Sequence, residues 1–224
     1  MSTEEQEGKA KGIDSLNNFY ESNKKNINIA AIAVIILMAG VWYYFKQYKP
    51  GIERDAKDSF FMAERYYGQD SLNKALIGDG INLGMMDIAD EFGSTKTGQQ
   101  ATYYAGRILL QQGKFQEALD YLSDVSMSDE IMAAQVISLQ GDCYSELGNY
   151  SEAGDRYMYA ADKRDNAFSR PIALKKAGEA FEEAAEFDDA LDAYKALREE
   201  YSETPQAQNI EGKIARVSAK MLSQ

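Results

Sequence analysis

The sequence predicts an all-α protein. A single N-terminal transmembrane helix precedes an α-solenoid of about three clear hairpin repeats, with a degenerate first repeat before them and a C-terminal capping helix after them. Three observations carry this expectation. Ile27–Phe45 is a long apolar run without a single charge. Gly106, Gly141, Gly178 and Gly212 recur at nearly even spacing. The chain beyond residue 66 is rich in Ala, Glu, Leu, Tyr and Gln and holds only Pro171 and Pro205 as prolines, a composition that suits helices.

The uncharged run is the first element to justify. At ~1.5 Å per residue it spans ~28 Å, close to a hydrocarbon core of ~30 Å. Lys24 and Lys25 flank one end, Lys46 and Lys49 the other. Trp42, Tyr43 and Tyr44 sit at the exit, as an interfacial aromatic belt does. A cleaved signal peptide fits poorly, because the segment before the run carries five acids and the run ends in bulky aromatics. The expectation is an uncleaved anchor, with Lys24, Lys25, Trp42, Tyr43, Tyr44 and Lys46 at the membrane interface. Four Lys residues precede the span and five Lys or Arg residues follow it within about twenty positions, so charge does not decide the orientation. Residues 1–12 of the head are polar and expected to be unordered. Ile13, Leu16, Phe19 and Tyr20 then start an amphipathic turn.

The organisation expected is a head over residues 1–26, the span over 27–45, a juxtamembrane helix with the degenerate repeat over 46–98, repeats over 99–204 and the cap over 205–224. Pro50-Gly51 is expected to break the helix after the span. Within the repeats, Phe115, Tyr150 and Phe187 follow the glycine spacing, as do Ala118, Ala153 and Ala190, and Leu122, Tyr157 and Tyr194. Glycine on the first helix and alanine on the second allow close approach, and the large residues fill the space between. Gly113 and Gly148 end the first helices, where a left-handed cap is wanted. Ala185 stands there in the third unit, so that turn is expected to close differently. Ile81, Gly84 and Ile88 fall one repeat before Phe115, Ala118 and Leu122 and suggest the second helix of the degenerate unit. Its first helix is expected at Ile52–Tyr67. Thr204-Pro205 is expected to open the last helix, with Lys213, Arg216 and Lys220 on a solvated outer face.

These units resemble the tetratricopeptide repeat, a helix–turn–helix motif of matching period. Units over 99–132, 134–167 and 171–204 match the pattern, although the usual Trp is missing and the late Pro is missing or displaced.

Composition narrows the function. The chain has 224 residues, 24 Lys plus Arg against 36 Asp plus Glu, a net charge of −12, no His and one Cys. Without His there is no His-based triad and no His-ligated zinc site, and one Cys gives no intramolecular disulfide. The acidic balance disfavours a nucleic-acid partner. Residues 66–224 carry 15 bases and 27 acids, so most of the negative charge lies on the repeats. The acid pairs Glu182-Glu183, Asp188-Asp189 and Glu199-Glu200 are read as solvated surface, since neighbours on a helix point about 100° apart. Cys143 is read as a buried or half-buried thiol, and the Asn149-Tyr150-Ser151 sequon as coincidence. No catalytic group, metal site or cofactor is expected.

What remains is a surface for other proteins. Repeat geometry puts Tyr103 and Arg107, then Asp142 and Ser145, then Lys175 and Glu179 on the concave side. Tyr and Arg are common interface anchors. Asp142, Glu179, Glu182 and Glu183 would repel a carboxylate, so a partner bearing Lys or Arg, or an unfolded apolar one, fits better.

The order of parts also resembles one family. Phe19-Tyr20-Glu21-Ser22-Asn23-Lys24 precedes one span ending in Trp42-Tyr43-Tyr44, followed by degenerate repeats. This is similar to the YfgM-type ancillary subunits of the bacterial SecYEG translocon. That resemblance implies a bacterial inner-membrane protein with a cytoplasmic N-terminus and periplasmic repeats. It implies the SecYEG translocon, a membrane-anchored periplasmic chaperone or prolyl isomerase (PpiD-like), membrane lipid and secreted client polypeptides as partners. The alternative is an anchored receptor or assembly scaffold unrelated to the translocon, with its repeats facing the cytosol.

Overall fold

The computed structural model describes residues 3–163 and 166–223, with side chains from Phe19 onward. It is helical throughout, with no strand among the described residues. The chain divides into two units, residues 1–52 and 53–224.

The first unit is built on α1, Thr3–Tyr43. The residues expected to be unordered are therefore helical from Thr3 on. In the apolar stretch Ile35, Ile36 and Leu37 are 60, 65 and 68% exposed. Burying each such side chain away from water is worth ~1.5–3 kcal/mol, and within the protein none of that is realised. The helix is long and apolar enough to cross a membrane: its most apolar stretch has a mean hydropathy of 2.0 and none of it is buried.

Pro50-Gly51 does not end the helix. Tyr44–Tyr48 form a single wide π turn, and α2 follows as Lys49–Gly68. The Lys49 N–H reaches back five residues to the Tyr44 carbonyl. Proline lacks an N–H and its ring crowds the carbonyl four residues earlier, here Lys46. The widened turn accommodates that crowding, and bulges of this kind sit within otherwise continuous helices.

The second unit is a succession of helices. After α2 come α3 (Leu72–Ile77), α4 (Met85–Phe92), α5 (Lys96–Gln111), α6 (Phe115–Ser123), α7 (Glu130–Glu146), α8 (Tyr150–Lys163), α9 (Arg170–Glu183), α10 (Phe187–Tyr201) and α11 (Ile210–Met221). The hairpins α5–α6, α7–α8 and α9–α10 are the three clear repeats. Their small-against-large packing is direct: a Cβ added at Gly106 would lie 2.7 Å from Leu122, and one at Gly141 2.6 Å from the Tyr157 ring. Gly178 meets Tyr194 in the same way. Ala118, Ala153 and Ala190 are fully buried.

Three local expectations are corrected. The third hairpin closes like the others: Ala185 has φ +61°, beside +74° at Gly113 and +79° at Gly148. The Glu186 N–H bonds the Phe181 carbonyl at 2.9 Å, matching Lys114 to Leu109 at 3.0 Å and Asn149 to Tyr144 at 2.9 Å. The hairpin imposes the left-handed turn, and alanine tolerates it. Ile81 lies outside α4 and is 92% exposed, because Asp79 closes a turn there, accepting from the Ile81 and Asn82 N–H groups at 2.9 and 2.7 Å. Ile88, by contrast, is fully buried in α4. Pro205 begins only a 3-10 turn, Pro205–Ala207, and α11 starts after Asn209 at φ +60°.

Side chains cap the starts of α5 and α7. Thr95 Oγ1 accepts from the Gly98 N–H at 2.9 Å and Asp129 from the Met132 N–H at 2.9 Å. Glu53 on α2 accepts from the Lys96 N–H at 2.9 Å and the Thr97 hydroxyl at 2.8 Å. Burial alone would raise its pKa, but these hydrogen bonds and Lys57 leave it below the usual carboxylate range.

Candidate functional site

The first helices of successive hairpins, α7, α9 and then the cap α11, face one another through ion pairs at one interval. Asp142 meets Lys176 at 2.7 Å, Glu179 meets Lys213 at 2.9 Å and Glu182 meets Arg216 at 2.6 Å. Each base lies 34 positions after its acid, which is one repeat, so the same helical position on two stacked helices carries opposite charge. Tyrosine completes the arrangement. The Tyr157 hydroxyl donates to Asp142 at 2.6 Å while Lys176 sits 5.3 Å above the Tyr157 ring. Lys213 lies 5.5 Å over the Tyr194 ring in the same manner. Burial raises the Tyr157 pKa well above the ordinary phenol value, and the adjacent Asp142 charge raises it further. Tyr194 is raised by burial and then by Glu182.

Several expected site residues are therefore placed differently from their reading. Tyr103 is only 3% exposed and does not present a binding surface. It joins a cluster in which the Tyr104 ring lies 5.5 Å from it, 5.0 Å from Tyr67 and 5.9 Å from Phe60. Arg107 is half-buried over the Tyr103 and Tyr67 rings at 5.5 and 6.0 Å. Phe60 and Tyr67 come from α2, the first helix of the degenerate unit, whose weak pattern did not reveal that cluster. Asp142, Ser145, Lys175 and Glu179 are half-buried; Lys175 pairs with Glu179 at 3.9 Å.

Glu182 is not solvated surface. It is 8% exposed and also takes Lys220 at 2.9 Å. Burial would raise its pKa, but Arg216 and Lys220 outweigh that and lower it. Lys213, Arg216 and Lys220 accordingly turn back onto α9 rather than outward. Opposite charges at i and i+34 were the signal that would have found these pairs. Cys143 is fully buried; burial, then the nearby Asp142 charge, push its thiol up to about 12, so it stays protonated. Among the described residues no group of three His, Cys, Asp or Glu side chains is placed to hold a metal ion.

Between α7 and α9 the stacked helices leave a groove of about 470 Å³. Ile131, Ser138 and Leu139 line it from α7, Ile172 and Ala173 from α9, and Phe168 from the loop before α9. One end is apolar and open: Ile131 is 51% and Phe168 81% exposed. Asn166 holds that loop, accepting from the Phe168 and Ser169 N–H groups at 2.9 and 2.8 Å. The other end closes on Asp142 and Lys176. Beyond that pair lie two shallower cavities of about 530 and 140 Å³, the first lined by Glu146 and the second by Glu179 and Glu183. Phe168 was not foreseen, because the loop between hairpins has no repeat counterpart.

This arrangement has known likenesses. Residues 173–204, from α9 into the turn after α10, match the tetratricopeptide repeat family. Among solved structures, the nearly identical TPR-like repeats of a candidate kinesin light chain from Podosopora anserina superpose with a TM-score of 0.56 at 14% identity. The match covers 77% of this chain and 89% of that one. A second structure of the same protein gives the same values. The fold is a TPR-like α-solenoid. No curated protein matches the chain in sequence. Solenoids of this kind present extended surfaces along their stacked helices.

Proposed function

We propose that the chain is a non-enzymatic, membrane-anchored scaffold that binds polypeptides in the groove between α7 and α9. The observation that carries this is the groove itself, an apolar trough with exposed Ile131 and Phe168 on a face that is otherwise charged. The apolar helix that buries nothing within the protein supports the anchor. Exposed Trp42 and Tyr43 at its exit, with Lys24, Lys25 and Lys46 around it, suit a headgroup layer.

The finer reading rests on the resemblance to YfgM-type subunits. In it the N-terminus is cytoplasmic, the repeats are periplasmic, and the chain accompanies the SecYEG translocon of a bacterial inner membrane. Its partners are then a membrane-anchored periplasmic chaperone or prolyl isomerase and emerging secreted polypeptides. A reporter fused after residue 224 should behave as periplasmic, and gentle detergent extraction should retain channel subunits. Photocrosslinkers at Ser138 and Phe168 should capture polypeptide, and one at Trp42 should capture membrane partners. A reporter active only in the cytosol would defeat the translocon reading. Because four Lys residues before the span against five Lys or Arg after it do not decide the orientation, the second reading is an anchored receptor whose repeats face the cytosol, and the same fusion separates the two.

A further inference from the structure

The groove has a direction in its chemistry. Its outer half is apolar, floored by Ala134 and Ala173 and walled by Ile131 and Phe168. Its inner end is the Asp142–Lys176 pair, 2.7 Å apart, which is neutral as a pair and fixed by Tyr157. Past the pair the face becomes acidic. Glu146 and Glu183 are both exposed there, each lining one of the two cavities that share Tyr157 and Lys176 with each other. Glu179 is already matched by Lys213 at 2.9 Å, whereas among the described residues Glu146 and Glu183 have no cationic partner. The wider field has the same sign, with 27 acids against 15 bases over residues 66–224, and such a field draws a basic partner toward the face.

We infer that the groove selects polypeptide segments in which a large apolar side chain stands about six or seven residues from a Lys or Arg. The apolar side chain fills the trough between Ile131 and Phe168, and the basic head reaches Glu146 and Glu183. The spacing follows from the helix: from Ile131 to Glu146 is ~22 Å along α7. An extended segment covers that in about six to seven residues at ~3.3 Å each. This inference rests on the groove being a polypeptide site and adds what it prefers.

The test uses the full chain in phospholipid nanodiscs and short fluorescein-labelled peptides read by anisotropy. One peptide carries Phe with Lys at the stated spacing, a second has Glu in place of Lys, and a third has Ser in place of Phe. The Phe–Lys peptide should bind best, with a preference over the Phe–Glu peptide of roughly threefold to tenfold, as expected for two exposed ion pairs. The double variant Glu146→Gln with Glu183→Gln should erase that preference while still binding Phe-containing peptides. The double variant Ile131→Ser with Phe168→Ser changes exposed positions only and should weaken both Phe peptides together. Equal binding of the Lys and Glu peptides, or a preference that survives Glu146→Gln with Glu183→Gln, overturns the inference and leaves polypeptide binding standing. Binding of none of the peptides overturns both.

Discussion

The joint between α9 and α11 and the joint between α7 and α9 are one geometry finished in two ways. Both stack first helices one repeat apart, and both place acid against base at i and i+34. At α9–α11 the seam is sealed. Glu182 is gripped by Arg216 and Lys220, Glu179 by Lys213, and Ile210 and Val217 are 5 and 0% exposed against the core that holds Tyr194 and Leu197. At α7–α9 one pair, Asp142–Lys176, closes one end, and the rest is an open apolar trough. Periodicity decides where the helices lie. Whether a seam is shut depends on how many pairs cross it and how large the facing side chains are. A terminal helix must be shut to keep the last hairpin from exposing its core; an interior joint already supported on both sides can stay open and bind.

The comparison is tested most strongly at the tyrosines. Tyr194 is fully buried against Gly178, and Tyr194→Ala should cost about 4 kcal/mol of unfolding free energy in urea. Tyr157→Ala should cost about 3 kcal/mol, because the groove and its neighbouring cavities admit water where the ring was. Equal losses would mean that the two joints are packed alike.

The carboxylates come next. Glu182→Ala removes hydrogen bonds to two cations and should cost about 2 kcal/mol, with faster amide exchange confined to α11. Lys176→Ala breaks a pair whose side chains are 36 and 27% exposed while the Tyr157–Asp142 hydrogen bond stays in place, and should cost under ~1 kcal/mol. The pH dependence has a definite sign. Glu53, Asp79 and Glu182 are all held below the usual carboxylate range, Asp79 chiefly by hydrogen bonds from Asn82 and Tyr66. Their contribution is complete above the unfolded carboxylate pKa of ~4 and is lost as pH falls through the lower folded values. Glu182→Gln should therefore flatten the acid limb of a stability profile; an unchanged limb would show that the Glu182 cluster carries no linkage.

How much of this was legible in the sequence follows from what sets each feature. Gly106, Gly141 and Gly178 revealed the hairpins because a close approach against Leu122, Tyr157 and Tyr194 demands a missing Cβ at a fixed interval. Tyr103 was misplaced because the Tyr104 ring beside it gathers Phe60 and Tyr67 from α2, a helix whose degenerate sequence does not show which of its side chains turn inward. The ionic ladder was present in the sequence as opposite charges one repeat apart, yet single acids such as Glu182 look like ordinary surface until a partner helix stacks on them. Phe168 was invisible, since no periodic rule governs a loop between hairpins.

Ala185 was misread for a related reason: the hairpin, rather than local preference, fixes φ at +61°. Left-handed backbone disfavours any residue with a Cβ, so Ala185→Gly should stabilise the third hairpin by about 1 kcal/mol, and Gly148→Ala should destabilise the second by a similar amount. Thermal melts of the two variants would shift in opposite directions. A loss of stability in Ala185→Gly would mean that glycine's extra freedom in the unfolded chain outweighs the relief.

The smallest stability effect belongs to the residue most exposed in the open joint. Phe168 is 81% exposed and packs on little, so Phe168→Ser should leave unfolding free energy unchanged within ~0.5 kcal/mol. Phe181, 4% exposed and seated over Gly154, belongs to a closed contact, and Phe181→Ser should cost about 3 kcal/mol or more. If Phe168→Ser instead destabilised the fold measurably, the side chain would be sealing the α7–α9 joint, and the two joints would differ in degree rather than in kind. If stability holds, the protein is carrying a large aromatic ring in water at the mouth of an apolar trough with no folding benefit, and only an incoming apolar group would bury it.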